Sequence, residues 1–496
     1  MRRGSKRYIL LLFVSISQSY SRLIGANILD GDNHAYDAAN VSHPTGALGT
    51  DAMPLNLLKD RATDGYRYPQ LPLDVDNYPV GPDGLELEQV HVYVRHGERT
   101  PVGVRLNGSP ASIPEHWDMC KTARRFKAAV SGVLGIEETL PTRKVVERQD
   151  GTMREGECLL GELTDLGRQS TFNFGQNLRK LYVDRLGFLP DFLSDQNAVY
   201  FRSTNMPRTT ESLQEIMHGL YPSHKCHLTA LPPLRIRNGK DENLIGNTYA
   251  CKRLEILQVG FATAAAQAFN PSLEHLDKKL SKYINGNPVR VDGRPRASGI
   301  MDTIRASVAH GIKVPPEFED KSVVDVIERA VVNEWFAGMY KTEEVRRLGM
   351  GRLLADVLSK TQHKVERSES DPLKILVHST HDTAIAALCS TFDVYDEKWP
   401  AFTASITFEL FKKKGPESQP SISQTVLSRL GSFTASPQHY IRMRFQNKDL
   451  VLPMCAQEGQ HLEGHPEFCT FATFKARVKE LTPVDWDSEC LPAGRS

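Results

Sequence analysis

Val90–Pro101 reads V-H-V-Y-V-R-H-G-E-R-T-P, and the rest of the chain is organised around this stretch. Valine alternates with larger side chains over residues 90–94, which predicts a buried β-strand. The alternation stops at Arg95-His96-Gly97, where Gly97 allows a turn that a Cβ would hinder. In open α/β sheets, ligands bind in the crevice beyond the carboxyl ends of the strands. We therefore expect a binding site directly after this strand.

The side chains that follow the strand suit an anion. Arg95 and Arg99 each present a guanidinium fork, and a phosphate dianion accepts paired hydrogen bonds from such forks. Residues 95–101, R-H-G-E-R-T-P, resemble the R-H-G-x-R-x-P signature of the histidine acid phosphatases, a branch of the histidine phosphatase superfamily. The resemblance implies an α/β fold, namely a phosphoglycerate-mutase-like three-layer α/β/α sheet domain with a mostly helical cap insertion. It also implies hydrolysis of phosphomonoesters.

A second strand that ends in an arginine is predicted at residues 198–201. The run R-S-T-N-M-P-R-T, residues 202–209, is similar to the second arginine element of the same family. We expect Arg202 to point into the same crevice as the first motif. Arg208 is expected to brace the helix that follows.

A third buried strand, Leu373–Val377, runs directly into H-S-T-H-D-T at residues 378–383. An apolar helix follows, and a turn between a parallel strand and a helix N-terminus is a favourable place for an anion. The pair His381-Asp382 resembles the H-D pair of the histidine acid phosphatases. His378 is expected to have a structural role.

The resemblance implies a role for each of six residues. His96 would be the nucleophile, which attacks phosphorus and forms a phosphohistidine that water then hydrolyses. Asp382 would donate a proton to the leaving oxygen. The other four would bind the phosphate group of the substrate, namely Arg95, Arg99, Arg202 and His381. No cofactor is expected.

Electrostatics agree with His96 as the nucleophile. One arginine about 6 Å away at an effective dielectric near 20 is worth roughly 3 kcal/mol, or about two pKa units. Three arginines would therefore keep His96 unprotonated even in acid. The same field lowers the pKa of Asp382, so an acidic medium and a bound phosphate dianion are needed to keep this donor protonated. We expect an acidic pH optimum, with Glu98 as the less favoured donor.

The first 84 residues are expected to precede the folded core. Four basic residues within the first seven precede the apolar run Tyr8–Val14, and serines follow. This order predicts a signal peptide over residues 1–21, and hence a protein that is secreted or resides in the secretory-pathway lumen. The run is too short to cross a bilayer, so no stable membrane span is expected once the signal is cleaved. A mitochondrial presequence is the alternative, because no acidic residue precedes Asp30. Residues 22–84 are predicted to form an extended arm.

The remaining residues divide into a core and an insertion. Residues 85–223 and 346–490 contain the predicted strands, and we assign them to an α/β catalytic core. Residues 224–345 combine helical windows with loops, and we assign them to a helical cap insertion over the crevice. A chain of 496 residues is long enough for one core with such an insertion.

Three further elements of the core are predicted from local patterns. The run G-E-L-T-D-L-G at 161–167 predicts a helix that Thr164 caps and that extends to about Leu186. Alternating residues at 405–411 and 439–452 predict antiparallel strands, the second with a hairpin turn at 446–449. The polar residues 412–436 are expected to form an exposed loop.

Eight cysteines and no C-x-x-C pair suit an oxidising compartment, in which cysteines form disulfides. A Cys455–Cys469 bridge is the preferred pairing, because both cysteines lie in a late, loop-rich segment. Two sequons, at Asn40 and Asn107, would be open to glycosylation in that compartment, although Pro110 makes the second the poorer acceptor.

Composition and missing motifs exclude several functions. The net charge of +1 provides no global field for nucleic acid. The histidines lack the spacing of metal ligands, so no metal site is expected. The sequence has no G-x-x-x-x-G-K-S/T, which argues against a P-loop nucleotide hydrolase. The expected partner is a small phosphomonoester, and the oligomeric state is left open.

Four alternatives to a general acid phosphatase remain open. A mutase shares R-H-G-E, but the continuation to R-T-P and the His381-Asp382 pair favour hydrolysis. A phytase-type enzyme would need a wide basic cap, for which Lys278, Lys279, Lys282 and the Arg346-Arg347 pair are the candidate cations. A phosphatase of the lysophosphatidic-acid type is equally compatible. The fourth is a non-catalytic secreted glycoprotein that binds phosphate without turnover.

Overall fold

The computed structural model of the chain describes residues 72–126, 142–227, 229–414 and 438–492. The predicted signal peptide, the arm as far as residue 71, the Asn40 sequon and most of the predicted loop at 412–436 lie outside these residues. None of the helices in the described ranges combines the length and the apolar character that a bilayer crossing requires.

A nine-stranded mixed sheet forms the centre of the molecule. In chain order its strands are β1 (Leu85–Arg95), β2 (Val199–Ser203), β3 (Leu234–Arg235), β4 (Ile375–Thr380), β5 (Ser405–Lys413), β6 (His439–Phe445), β7 (Lys448–Leu450), β8 (His461–Leu462) and β9 (His465–Thr470). Their spatial order is β8-β9-β6-β5-β1-β4-β2-β3, and β7 pairs with β6. Strands β1, β4, β2 and β3 run parallel, while β5 is antiparallel to β1. The carboxyl ends of β1, β2 and β4 therefore meet at one edge of the sheet.

Helices cover both faces of this sheet. Those of the described residues are α1 (Asp165–Arg179), α2 (Pro207–Leu220), α3 (Lys252–Leu273), α4 (Asp277–Leu280), α5 (Ala297–Ala309), α6 (Lys321–Lys341), α7 (Glu343–Arg367), α8 (Asp382–Thr391), α9 (Phe471–Leu481) and α10 (Trp486–Glu489).

The alternation of side chains along β1 supplies both faces of the core. Val92 packs with Phe174 of α1 and Ile216 of α2 on one face. Tyr93 points the other way and belongs to a cluster with Leu354 of α7 and Leu388 of α8. Complete burial of one such side chain stabilises the fold by about 1.5–3 kcal/mol. The predicted three-layer α/β/α architecture is confirmed.

Helix α1 begins where the sequence predicts. The Thr164 side chain accepts a hydrogen bond from the backbone N–H of Gly167, and Asp165 lies in the first turn. After Arg179 the helix continues as a π-helical segment, Lys180–Arg185, which ends at Leu186. The predicted length is therefore correct, although the last part has wider turns than an α-helix.

Residues 224–345 contain helices α3 to α6. Ile300 and Ile304 of α5 pack with Val323 and Ile327 of α6 in a hydrophobic cluster separate from the two that line the sheet. The short strand β3 also falls in this range and forms the edge of the main sheet. The segment is thus mostly helical, with one strand that the sequence pattern did not reveal.

The late antiparallel strands agree with the sequence prediction. Strands β5 and β6 pair with each other, and β6 turns into β7 through Gln446 and Asn447. Gln446 has φ of 53°, the left-handed conformation that tight hairpin turns require.

Three disulfides join cysteines within the described residues. The predicted Cys455–Cys469 bridge is confirmed. The other two are Cys120–Cys158 and Cys251–Cys490, and the latter ties the start of α3 to the end of the described chain. The two remaining cysteines, Cys226 and Cys389, are free thiols.

Candidate active site

The pairing of β1 with β4 brings two of the predicted segments together. Arg95 lies level with Thr380 in the parallel register, and the backbone N–H of His96 donates to the Thr380 carbonyl at 3.0 Å. The rings of His96 and His381 consequently lie edge to face, with their centroids 5.6 Å apart.

His96 is held in one tautomer. Its Nδ1 lies 2.8 Å from the Gly97 carbonyl oxygen, which only accepts, so Nδ1 carries the proton and Nε2 keeps its lone pair. The residue is 2% exposed. Burial, followed by the positive charges of Arg208, Arg95 and Arg99, holds the pKa of His96 well below its usual value. A neutral imidazole therefore persists in acid.

A close helix contact fixes the turn that carries His96. A Cβ on Gly97 would collide with the carbonyl of Gly167, and a Cβ on Gly167 would collide with the carbonyl of Glu98. The two glycines let α1 lie directly against the motif. The Gly97 N–H also donates to Ser212 Oγ of α2 at 3.1 Å. Gly97 is required here for close approach, whereas the sequence suggested a turn as the reason.

Arg95 and Arg99 each form a salt bridge with one carboxylate. Arg95 Nη2 lies 2.7 Å from Asp382 Oδ2, and Arg99 Nη1 lies 2.9 Å from Asp302 Oδ1. Asp302 belongs to α5, so the predicted cap insertion contributes to the site. The guanidinium carbon of Arg95 lies 4.2 Å from the centre of the Phe402 ring.

Arg202 requires a correction, because its guanidinium group does not join those around His96. Its Nη2 donates to Glu242 Oε1 at 2.5 Å, and its Nη1 lies 3.7 Å from Asp356. Arg202 is level with His378 in the β2–β4 register, two residues before the end of β4. It therefore lies below the edge of the sheet, where the buried Glu242 and the half-buried Asp356 neutralise it.

Arg208 provides the third positive charge. It lies in the first turn of α2, and among the charged groups it has the largest effect on the pKa of His96. It forms no ion pair with any described residue, and its buried Nε has no acceptor among them. Burial, and then repulsion from Arg99, lowers the pKa of the Arg208 guanidinium. An anion beside His96 would relieve this repulsion. The sequence analysis expected Arg208 to brace the helix, whereas the structure also places its charge close enough to lower the pKa of His96.

His381 lies beside Arg208 and His96. Its Nε2 is 3.0 Å from Thr204 Oγ1. Burial, with Arg208 as the next cause, lowers the pKa of His381 to about 3. The ring is neutral at the acidic pH expected for the reaction. His378, in contrast, is stacked on Tyr93 at 4.5 Å in the core, as expected for a structural residue.

Asp382 is the first residue of α8, and both of its oxygens accept hydrogen bonds. Oδ1 accepts from the N–H of Thr383 at 2.8 Å, and Oδ2 accepts from Nε1 of Trp399 at 3.0 Å as well as from Arg95. Burial raises the pKa of Asp382, but the charges of Arg95 and Arg99 outweigh burial and leave it below its usual value. When no substrate is bound, the Asp382 carboxyl group is therefore an anion that is stabilised by the nearby arginines.

Glu98 occupies a different environment. Its carboxyl is bonded to Ser170 of α1 rather than to any arginine. Burial raises the pKa of Glu98 to about 7. Glu98 is thus an acid that stays protonated, but it is held against α1.

Three further residues of the site were not anticipated. Asp302 lies in a helical segment whose sequence has no motif, while Trp399 and Phe402 lie in the loop before β5. Nothing in the local pattern distinguishes them from core residues, since their role depends on how distant segments fold together. The gathered groups can bind a tetrahedral oxyanion and present a nucleophilic nitrogen and a carboxyl to it.

The family model described as "Histidine phosphatase superfamily (branch 2)" matches residues 86–446. The chain belongs to this superfamily. A probable acid phosphatase of Schizosaccharomyces pombe is 34% identical over 445 residues, which cover 83% of this chain and 95% of that protein. Lysophosphatidic acid phosphatase type 6 of Mus musculus is 26% identical over 72% of this chain and 80% of its own length.

The fold has relatives among solved structures. The phytase from Citrobacter braakii superposes with a TM-score of 0.52 and covers 82% of this chain and 99% of its own. Its sequence identity is 15%, so this likeness concerns the fold alone.

Proposed function

We propose that the chain is an acid phosphatase that hydrolyses phosphomonoesters through a phosphohistidine. The lone pair of His96 Nε2 attacks phosphorus, and the bond from phosphorus to the ester oxygen breaks. Asp382 gives its proton to the departing alcohol. Water then attacks the phosphohistidine and loses a proton to Asp382, which releases inorganic phosphate and restores the imidazole.

The observation that carries this proposal is the single tautomer of His96 among buried cations. Nδ1 is bonded to the Gly97 carbonyl, so the lone pair of Nε2 is the one available for attack. Arg95 and Arg99 each have a carboxylate partner, but Arg208 has none among the described residues. Arg208 is half-buried and its Nε is buried without an acceptor, so the site has positive charge in excess to which a phosphate dianion would be attracted. We assign phosphate binding to Arg95, Arg99, Arg208 and His381.

Phosphate binding also prepares the proton donor. A dianion competes with Asp382 for the guanidinium of Arg95, and the negative charge beside the carboxyl raises its pKa. Burial already acts in the same direction. Asp382 therefore gains its proton when the substrate is bound, which favours an acidic pH optimum.

The cap favours substrates with a single phosphate group. Two of the three lysines that a polyphosphate would need are already matched, since Lys282 lies 2.6 Å from Glu317 and Lys279 lies 3.6 Å from Asp320. The other basic pair is matched in the same way, Arg346 with Asp393 and Arg347 with Glu489. A phytase-type function is consequently the weaker alternative, and simple or lipid-like phosphomonoesters are the stronger ones.

The test is turnover of p-nitrophenyl phosphate at about pH 4–6. We expect hydrolysis by the wild-type protein, none by His96→Ala, and unchanged hydrolysis by His224→Ala, an exposed histidine that serves as the matched control. Turnover by His96→Ala would contradict the proposal. Phosphate binding without turnover by the wild type would instead support the non-catalytic alternative. A panel of lysophosphatidate, sugar phosphates and phytate then ranks the substrates.

We propose in addition that the protein matures in the secretory pathway. Three disulfides favour an oxidising compartment, and Asn107 of the second sequon is exposed. Expression in eukaryotic cells should give a protein inside vesicles or in the medium, with a mobility that an endoglycosidase changes. Import into mitochondria would contradict this.

A further inference from the structure

One short loop forms hydrogen bonds to the backbone of His96 and to the carboxyl group of Asp382. Residues 399–404, here called the site loop, precede β5. The Pro400 carbonyl accepts from Arg95 Nη1 at 2.6 Å, and the Thr403 N–H donates to the His96 carbonyl at 3.3 Å. Trp399, the first residue of the loop, donates from its indole Nε1 to Asp382 Oδ2 at 3.0 Å. The orientation of the proton donor therefore depends partly on this loop.

Trp399 is itself fixed by the cap. Its backbone N–H donates to Glu328 Oε1 of α6 at 2.8 Å, and its carbonyl accepts from Arg305 of α5 at 3.3 Å. Glu328 and Arg305 bond each other at 2.6 Å. The indole ring lies 5.0 Å from Phe336 and 5.8 Å from Trp335 between centroids. The indole N–H is thus held at a definite position by two helices that lie outside the sheet.

The two hydrogen-bond donors on Asp382 Oδ2 differ in what phosphate does to them. Arg95 is a cation that a phosphate dianion attracts, so the substrate weakens its bond to Asp382. The indole N–H is neutral, so a phosphate dianion attracts it far less strongly than it attracts Arg95. After phosphate has drawn Arg95 away, Trp399 and the Thr383 N–H remain to hold the carboxyl.

We propose that Trp399 is a positioning residue, which holds the Asp382 carboxyl toward the leaving oxygen while the substrate occupies Arg95. This inference rests on the proposed function, because a proton donor needs a leaving group. It predicts that Trp399 matters most for substrates whose alcohol cannot leave without a proton. It also makes the cap, through Glu328 and Arg305, part of the alignment of the donor.

The test compares two leaving groups in Trp399→Phe, which keeps an aromatic ring and removes the N–H. An alkyl phosphate such as glycerol 2-phosphate needs the proton, whereas p-nitrophenolate leaves readily without one. We expect kcat for the alkyl phosphate to fall about tenfold or more and kcat for p-nitrophenyl phosphate to fall less than about threefold. Trp335→Phe makes the same ring change next to Trp399 and should leave the ratio of the two rates unchanged.

Two further variants separate positioning from a general loss of structure. In an Asp382→Asn background, Trp399→Phe should have no additional effect, since it acts through the carboxyl. Trp399→His retains a ring N–H and should keep more of the alkyl phosphate activity than Trp399→Phe. An equal loss on both substrates, no loss on either, or additivity with Asp382→Asn would overturn the inference and leave the proposed function intact. Absence of turnover by the wild type would overturn both.

Discussion

Arg202 and Arg208 lie six residues apart, at the end of β2 and the start of α2, yet their electrostatic environments are opposite. Arg202 is 2% exposed and meets two carboxylates, Glu242 and Asp356. Arg208 is repelled chiefly by Arg99, is attracted more weakly by Asp382 and Asp302, and forms no ion pair with a described residue. Carboxylates of the fold neutralise the first arginine, whereas the second has no ion-pair partner among the described residues.

The difference shows what distinguishes a binding arginine from a structural one. A buried cation is costly unless an opposite charge satisfies it, so an unmatched one indicates where an anion binds. On the proposed function, Arg202 contributes to the stability of the fold, while Arg208 contributes to affinity for phosphate. Each prediction below tests this contrast or the groups on which it depends, beginning with the largest effect.

Removal of the nucleophile should have the largest effect. His96→Ala should lower kcat for p-nitrophenyl phosphate by a factor on the order of 10⁵, because the imidazole that would attack phosphorus is removed. Affinity for inorganic phosphate should survive, since the arginines remain. Calorimetric titration of the variant with phosphate measures this affinity. If the variant lost phosphate binding as well as turnover, the substitution would have disrupted the structure of the site.

Substitution of Arg208 should affect activity, whereas substitution of Arg202 should affect stability. Arg208→Ala should lower kcat/KM about 10²–10³-fold with little change in stability, because one oxyanion-binding group is lost. Arg202→Ala should lower the free energy of unfolding by about 3 kcal/mol, because the buried Glu242 loses its countercharge and keeps only its bonds from two backbone N–H groups. Kinetics and urea unfolding of both variants measure the two effects.

A matched double variant sharpens this comparison. Adding Glu242→Gln to Arg202→Ala should restore part of the stability, since it removes the uncompensated charge. The contrast would be contradicted if Arg208→Ala were the less stable variant and Arg202→Ala the less active one when both are folded.

The pH dependence should report the proton donor. In the free protein, burial raises the pKa of Asp382, but Arg95 and Arg99 outweigh it and keep it low, so kcat/KM should fall as pH rises from the acidic range. Bound phosphate raises this pKa, so the alkaline limb of kcat should lie at higher pH than that of kcat/KM. The pH profiles of Asp382→Asn should lack this alkaline limb. A wild-type optimum above about pH 8 would exclude Asp382 as the donor.

The smallest expected effect concerns Glu98. Its pKa is raised from 4.5 to about 7, so the native state favours the protonated form. The stability that this carboxyl contributes is present below pH 4.5 and is lost as pH rises through 7. Glu98→Gln should therefore match the wild type at pH 4 and exceed its stability by up to about 3 kcal/mol at pH 8. Urea unfolding at both pH values measures this, with exposed Glu86→Gln as the control. Equal stability at pH 8 would contradict the assignment.

Local sequence was sufficient for the elements whose pattern decides their structure. The valine alternation of β1, the Thr164 cap and the hairpin at Gln446 are short-range features, and each was predicted correctly. His96 and His381 were expected to meet because the motifs that contain them resemble two motifs of the histidine acid phosphatases.

The errors and omissions arose from long-range pairing. The sequence places an arginine at a strand end but does not reveal which carboxylate will meet it, and Glu242 lies 40 residues after Arg202. Asp302 and Trp399 reach the site from segments without a motif. A clue to Arg208 was present, since the first turn of a helix after a parallel strand faces the crevice.

The most direct test of the central claim is to trap the phosphoenzyme. Wild-type protein and Asp382→Asn are mixed with radiolabelled substrate at acidic pH, quenched in alkali within milliseconds to seconds, and digested for peptide mapping. We predict that the wild type carries one phosphoryl group on the peptide that contains His96. The amount of label should be much lower in Arg208→Ala, and His96→Ala should carry none. Label on another residue, or turnover at full rate without label on His96, would contradict the account.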